Sequence, residues 1–213
     1  MIISSIQKRR NGVEIIFDDF SKIRIDYRVV VDNGLRKNDN ISEEQKNKLL
    51  VQTEKLKLKD SAFRLLSMRR HSKFELSQKL IRKGFEKAEV HSMLDELSSK
   101  GYLNDIDFAH AYVEERLAKK KVGINKIRAE LISKGLDKSI IVNILSMIDY
   151  SISEETALKL AEKKLLSLRR KENNKRKITQ KVSAFLFTKG FEPEMIRKIT
   201  GKLNLDINEY EDL

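Results

Sequence analysis

The sequence predicts a mainly α protein: tandem three-helix repeats forming an elongated helical array, preceded by a small N-terminal β-hairpin or meander. Three observations lead there. A glycine-ended apolar segment occurs three times, as LIRKGF at 80–85, LISKGL at 131–136 and LFTKGF at 186–191. The apolar period changes from 2 to 3.6 near Ser42. The composition, with 36% charged residues, eight glycines and one proline in 213 residues, is that of stacked amphipathic helices.

The first 40 residues read as a small β segment. IISSIQ, Asn11-Gly12 and VEIIF alternate and break as a hairpin should, because Asn-Gly tolerates the positive φ of a two-residue turn. FSKIRI at 20–25 alternates again, and VVVDNGL closes the meander as a short helix or a fourth strand. Ser42 and Gln45 form a capping-box start, so residues 41–59 read as a linker helix running from Glu43 to about Leu58.

Residues 60–104, 105–150 and 151–205 are the three repeats, and the acidic tail DINEYEDL fills 206–213. Gly84 and Gly135 stand 51 residues apart, and Gly135 and Gly190 stand 55 apart. Before the glycines, apolar residues fall in matching places: Leu76 and Leu80, Ile127 and Leu131, Val182 and Leu186. After them come Val90, Met93 and Leu97, then Ile141, Ile144 and Ile148, then Ile196, Ile199 and Leu203. Each set is one helical stripe. The glycine therefore stands just past a helix end, in the left-handed region, with lysine beside the last carbonyls. Pro193 falls in the first turn of the following helix, where its missing N–H is harmless. The leading helices of the repeats span roughly 60–70, 105–120 and 153–171, and stacking such units buries faces that one repeat cannot bury alone.

Charge narrows the function classes. With 44 Lys and Arg against 32 Asp and Glu, the net charge is +12, a bias toward polyanions or acidic protein surfaces. Cysteine is absent, which removes disulfides, thiolate metal sites and cysteine nucleophiles, and points to a cytoplasmic protein. No run nears the ~20 apolar residues of a membrane span, and no signal peptide is legible. His71, His91 and His110 lack metal-ligand spacing and read as surface or boundary residues. There is no phosphate loop and no nucleophile elbow, so neither catalysis nor a cofactor is expected.

GYLNDIDFAHAYVEERL at 101–117 carries the most information. Asn104 or Asp105 can cap a helix on which Phe108, Ala109, Tyr112, Val113, Arg116 and Leu117 share a stripe. This stretch, with LISKGL after it and MRRHSKFELSQKLIRKGF before it, resembles the RecX family of bacterial regulators of the recombinase RecA. The resemblance covers roughly residues 60–205, the middle repeat most closely. It implies a non-enzymatic protein of three-helix repeats that binds RecA filaments on DNA, lowers ATP hydrolysis and strand exchange, and acts in DNA repair. The family motif falls on Asp105, Phe108, Ala109, Tyr112 and Arg116, whose shared stripe suggests packing.

The contact surface is expected in three basic clusters, each between a leading helix and a glycine-ended helix. They are Arg69, Arg70 and Lys73; Arg116, Lys119, Lys120, Lys121, Lys126 and Arg128; and Arg169, Arg170, Lys171, Lys175, Arg176, Lys177 and Lys181. Stacked repeats would line them up as a basic stripe. Phe74 and Phe185, the nearby aromatics, read as core, so a base-stacking platform is missing. The competing reading is an autonomous, nonspecific nucleic-acid binder using the same stripe. Weak DNA affinity and a monomeric chain are expected.

Overall fold

A computed structural model describes residues 1–120 and 122–204. It forms two compact units, Met1–Arg70 with Leu76–Tyr102, and His71–Glu75 with Leu103–Leu213. Lys121 and the acidic tail at 206–213 lie outside the described residues.

In the first unit, β1 (Ile3–Arg9), β2 (Gly12–Phe17) and β3 (Lys22–Ile25) make an antiparallel meander in sequence order. Arg9 pairs with Gly12, so the hairpin turns on Arg10 and Asn11, one residue earlier than Asn11-Gly12 suggested. Gly12 instead opens β2 at φ 124°, where a Cβ would stand 2.5 Å from the Ile25 carbonyl oxygen. The strands alternate as the sequence does. Val13, Ile15, Phe17, Ile23 and Ile25 are buried and form a core with Val29, Val30, Ile41 and Leu49.

VVVDNGL is helical, lying mostly in α1 (Tyr27–Asp32), which Asp26 caps by accepting from the Arg28 N–H. Ser42 and Gln45 form the full capping box of α2 (Glu43–Met68). This helix does not stop near Leu58. Nothing in KLKLKDSAFRLL breaks a helix, so the linker helix and the first leading helix are one 26-residue element. Leu58 and Ala62 of α2 are buried, as are Leu76 and Leu80 of α3 (Lys73–Arg82) and Val90, Leu94 and Leu97 of α4 (Lys87–Ser99). Phe63 and Tyr102 meet edge to face at 5.2 Å.

The second unit holds two further repeats. α5 (Asp105–Glu115), a π-helical turn (Arg116–Lys120), α6 (Ile124–Ser133) and α7 (Lys138–Ser146) make one, and α8 (Tyr150–Arg169), α9 (Lys175–Thr188) and α10 (Pro193–Lys202) the other. Phe108, Val113, Ile127, Leu131, Ile141 and Ile144 belong to the first core, and Ala157, Ala161, Val182, Leu186 and Ile199 to the second. Burial of each of these valine, leucine, isoleucine and phenylalanine side chains contributes about 1.5–3 kcal/mol, and of each alanine less.

The six apolar residues set before the glycines are fully buried. Gly84, Gly135 and Gly190 have φ of 93°, 72° and 87°. Each closes a helix with two main-chain bonds: Gly135 N–H to the Ile132 carbonyl at 2.9 Å and Leu136 N–H to that of Leu131 at 3.3 Å, with the same pattern at the other two. Leu136 and Phe191, just after their glycines, fold back into the cores. Gly101, preceded by Lys100, ends α4 in the same way, a further lysine-glycine stop outside the 51- and 55-residue spacing. Pro193 opens α10 as its spacing predicts.

Candidate partner-binding surface

The three basic clusters fall in the links between leading and glycine-ended helices. In the first, Arg69 is the C-cap of α2, Arg70 is exposed, and Lys73 is the half-buried first residue of α3. In the second, Lys126 and Arg128 are exposed on α6, and Arg128 donates to Asn125 Oδ1 at 3.0 Å. Lys119 and Lys120 lie in the π turn.

The third cluster is open. Arg169 ends α8, Arg170 is its C-cap, Lys171 follows, and Lys175, Arg176 and Lys177 form the first turn of α9; all six are exposed. Among the described residues, no carboxylate lies within ion-pair distance of Arg169, Arg170, Lys171, Lys175 or Arg176. Lys181 pairs with Glu172 at 3.3 Å. Accepting from the Asn174 N–H, and then from Lys181, holds the Glu172 carboxyl below the usual range. Arg169 and Arg170 suit the carbonyl end of α8. Three cations on the first turn of α9, with no acid there, oppose that helix's dipole.

Arg116 is placed differently from the rest of its cluster. Its Nε donates to the Tyr112 hydroxyl at 2.9 Å, that hydroxyl donates to Glu130 Oε2 at 2.9 Å, and Arg116 pairs with Glu130 Oε1 at 2.6 Å. Burial works against the Arg116 charge, but the bonds to Tyr112 and Glu130 outweigh it and hold the guanidinium above its ordinary pKa. Burial first, then the bond to Glu130, pushes the Tyr112 phenol up. The ammonium of Lys134 sits 4.9 Å from the Tyr112 ring centre and pairs with Glu75 at 2.6 Å. Arg116 therefore ties α5 to α6. The motif carries Tyr112 and Arg116, and the LISKGL stop carries Lys134, but Glu130 has no signal of its own in the sequence.

Two expectations are corrected. His71 is only 2% exposed, interior rather than surface or boundary. Phe74 is 46% exposed rather than core, because it rests its Cβ and ring edge on Gly135 and leaves the remaining ring uncovered.

That contact belongs to a joint that recurs within the second unit. Buried Ser72 donates its hydroxyl to the Lys134 carbonyl at 2.7 Å and accepts from the Glu75 N–H at 3.1 Å, while the Lys73 N–H donates to Asp105 at 2.7 Å. The start of α3 thus sits on the glycine turn that ends α6. Likewise the Gly123 N–H donates to the Lys189 carbonyl at 2.9 Å and the Asn125 N–H to that of Gly190 at 3.0 Å. The start of α6 sits on the turn that ends α9. At Gly123 a Cβ would stand 2.3 Å from the Gly190 carbonyl oxygen, so the two backbones meet directly. In this second joint amide donors at one helix start are satisfied by carbonyls at another helix end, whereas in the first a hydroxyl meets the carbonyl and a carboxylate takes the amide.

Fold and surface define a helical-repeat protein with cationic inter-helix turns. Among the described residues no three His, Asp or Glu gather as a metal site, and no helix is long and apolar enough to cross a membrane. The RecX first, second and third three-helix domains match residues 59–97, 104–144 and 153–200. The chain is 34% identical to Regulatory protein RecX of Clostridium perfringens strain 13 over 206 residues, 96% of this chain and 95% of that protein. It is 33% identical to Regulatory protein RecX of Clostridioides difficile strain 630 over 213 residues, 99% of each. A crystal structure of a regulatory protein RecX superposes with a TM-score of 0.72 at 25% identity, covering 94% of this chain and 98% of that one. The chain belongs to the RecX family, whose curated relatives are regulatory proteins.

Proposed function

We propose that this protein binds RecA filaments on DNA and lowers RecA's ATP hydrolysis and strand exchange, working in the cytoplasm without cofactor or catalysis of its own. The exposed basic turns are the contact surface, the α8–α9 turn foremost. One observation carries this reading. Arg169, Arg170, Lys171, Lys175 and Arg176 are exposed, and within the described residues none has an ion-pair partner. Lys175, Arg176 and Lys177 moreover sit where the α9 dipole disfavours them. Folding gains little from such an arrangement, whereas an acidic protein surface or a phosphate backbone offsets both repulsions. Arg116 is left out of the surface because it is already held by Glu130 and Tyr112.

The test is co-sedimentation with RecA filaments on single-stranded DNA beside the same DNA without RecA, at one ionic strength. Binding far stronger to the coated DNA is expected, with a parallel fall in RecA's ATP turnover. Equal affinity for coated and bare DNA would identify an autonomous nucleic-acid binder instead. Its log K would then fall with log salt by about 0.7 per phosphate contacted on the single strand.

A further inference from the structure

Two of the three repeated glycine turns, at Gly135 and Gly190, are covered by the start of another helix. The turn at Gly84 is open: no atom lies within 4 Å of where its Cβ would be. Beside it, inside the first unit, runs a groove of about 420 Å³. Leu50, Val51, Leu58 and Phe85 contribute its apolar surface, and Glu54, Glu86 and Glu89 bring carboxylates to it. Lys55 pairs with Glu89 at 3.9 Å and Lys57 with Glu54 at 2.8 Å, both at exposed positions.

The repeat register gives these residues a role. Asp105, which accepts the Lys73 N–H at the covered Gly135 turn, lies 51 residues after Glu54, the same interval that separates Gly135 from Gly84. Glu54 thus holds the sequence position from which a carboxylate receives the first amide of an arriving helix.

A helix start of matching charge exists in this chain. Of the three helices that end at the repeated glycines 84, 135 and 190, α3 and α6 have seated starts, while α9 begins with exposed Asn174, Lys175, Arg176 and Lys177. α9 has 14 residues against 10 in α3 and in α6. Measured back from the glycine it starts four residues earlier, so its first turn extends about 6 Å further.

We propose that the groove beside Gly84 receives the start of α9 from a second copy of this chain, repeating between molecules the joint made twice within the second unit. Cationic Lys175–Lys177 would meet anionic Glu54, Glu86 and Glu89, and the open carbonyl end of α3 would receive amide donors. The two surfaces differ, so the contact is head to tail and leaves a free groove and a free helix start at the ends of any chain of copies. Lys175–Lys177 can serve a second copy or the filament, and not both at once.

The protein has no cysteine, which makes the test direct. Full-length Lys87→Cys and Asn173→Cys variants, each next to one of the two surfaces, are mixed under mild oxidation without RecA or DNA. Heterodimers exceeding both homodimers, and suppressed by salt, are expected. Adding Glu86→Lys and Glu89→Lys to the first variant should lower the heterodimer yield about tenfold. Adding Lys175→Glu and Arg176→Glu to the second should do the same, and mixing the two charge-reversed proteins should restore it. Circular dichroism verifies that each variant is folded. Absence of heterodimer, dominance of the Lys87→Cys homodimer, or no restoration by the double reversal would each overturn the proposal. Because RecA is absent, these outcomes are independent of the function proposed above.

Discussion

Replacing Gly135 with alanine strains the protein in two separable ways. The residue has φ 72°, and a left-handed backbone costs a non-glycine residue about 1–2 kcal/mol. The new Cβ would also stand 2.4 Å from both Cβ and Cγ of Phe74. The clash is at the root of that side chain, so no rotamer change removes it. The start of α3 must shift on the α6 turn, an overpacking effect of about 1–3 kcal/mol. Gly135→Ala should therefore destabilise by about 2–5 kcal/mol. Gly84→Ala, at φ 93° with nothing near, should cost only the backbone part, about 1–2 kcal/mol. Gly135→Val should cost no less than Gly135→Ala. Urea titrations followed by circular dichroism measure the totals, and hydrogen exchange at the amides of α6 and of the first turn of α3 locates the loss. Equal destabilisation by Gly84→Ala and Gly135→Ala would refute the idea that the glycine at 135 also makes room for a joint.

Reversing Arg169, Arg170, Lys175 and Arg176 to glutamate should leave the melting curve almost unchanged, because exposed charges contribute little, yet abolish inhibition of RecA's ATP hydrolysis. Retained inhibition would mean that the contact lies elsewhere. Tyr112 should titrate above the ordinary phenol value of about 10. Between the two pKa values the folded chain keeps a proton that the unfolded chain has lost, so stability falls as pH rises through the ordinary value. Urea midpoints taken across the alkaline range should fall less steeply for Tyr112→Phe, and identical slopes would count against the buried phenol. Ser42→Ala removes the side-chain half of the α2 capping box and should cost about 0.5–2 kcal/mol in the same titration.

The helical repeats were legible because local chemistry and burial agree in them. A Lys-Gly stop demands positive φ, and the apolar residues before it leave no choice of buried face. The extent of α2 was harder to read: a capping box marks its start, but no comparable signal separates residue 58 from residue 60, and the chain stays helical. The hairpin turn slipped by one residue because Gly12 can take its positive φ inside β2 as readily as in the turn. At the candidate surface, the clusters and their place between helices could be read from lysine and arginine counts. Arg116 could not be separated from them, because Glu130, which claims it, follows 14 residues later on another helix. The joints were hidden for a related reason. Ser72 and Gly123 are ordinary helix starts in sequence, and their partners at 134, 189 and 190 are brought near only by stacking.

The unbroken α2 has a mechanical consequence. At 1.5 Å per residue, its 26 residues make a rod about 39 Å long, with sheet-facing Leu49 near one end and Ala62 of the first repeat core towards the other. A helix of this kind resists bending where a loop would give way. The sheet and the first repeat are therefore two ends of one lever, so a load placed on the β-hairpin arrives at α3 and α4 as a displacement instead of being lost in a hinge.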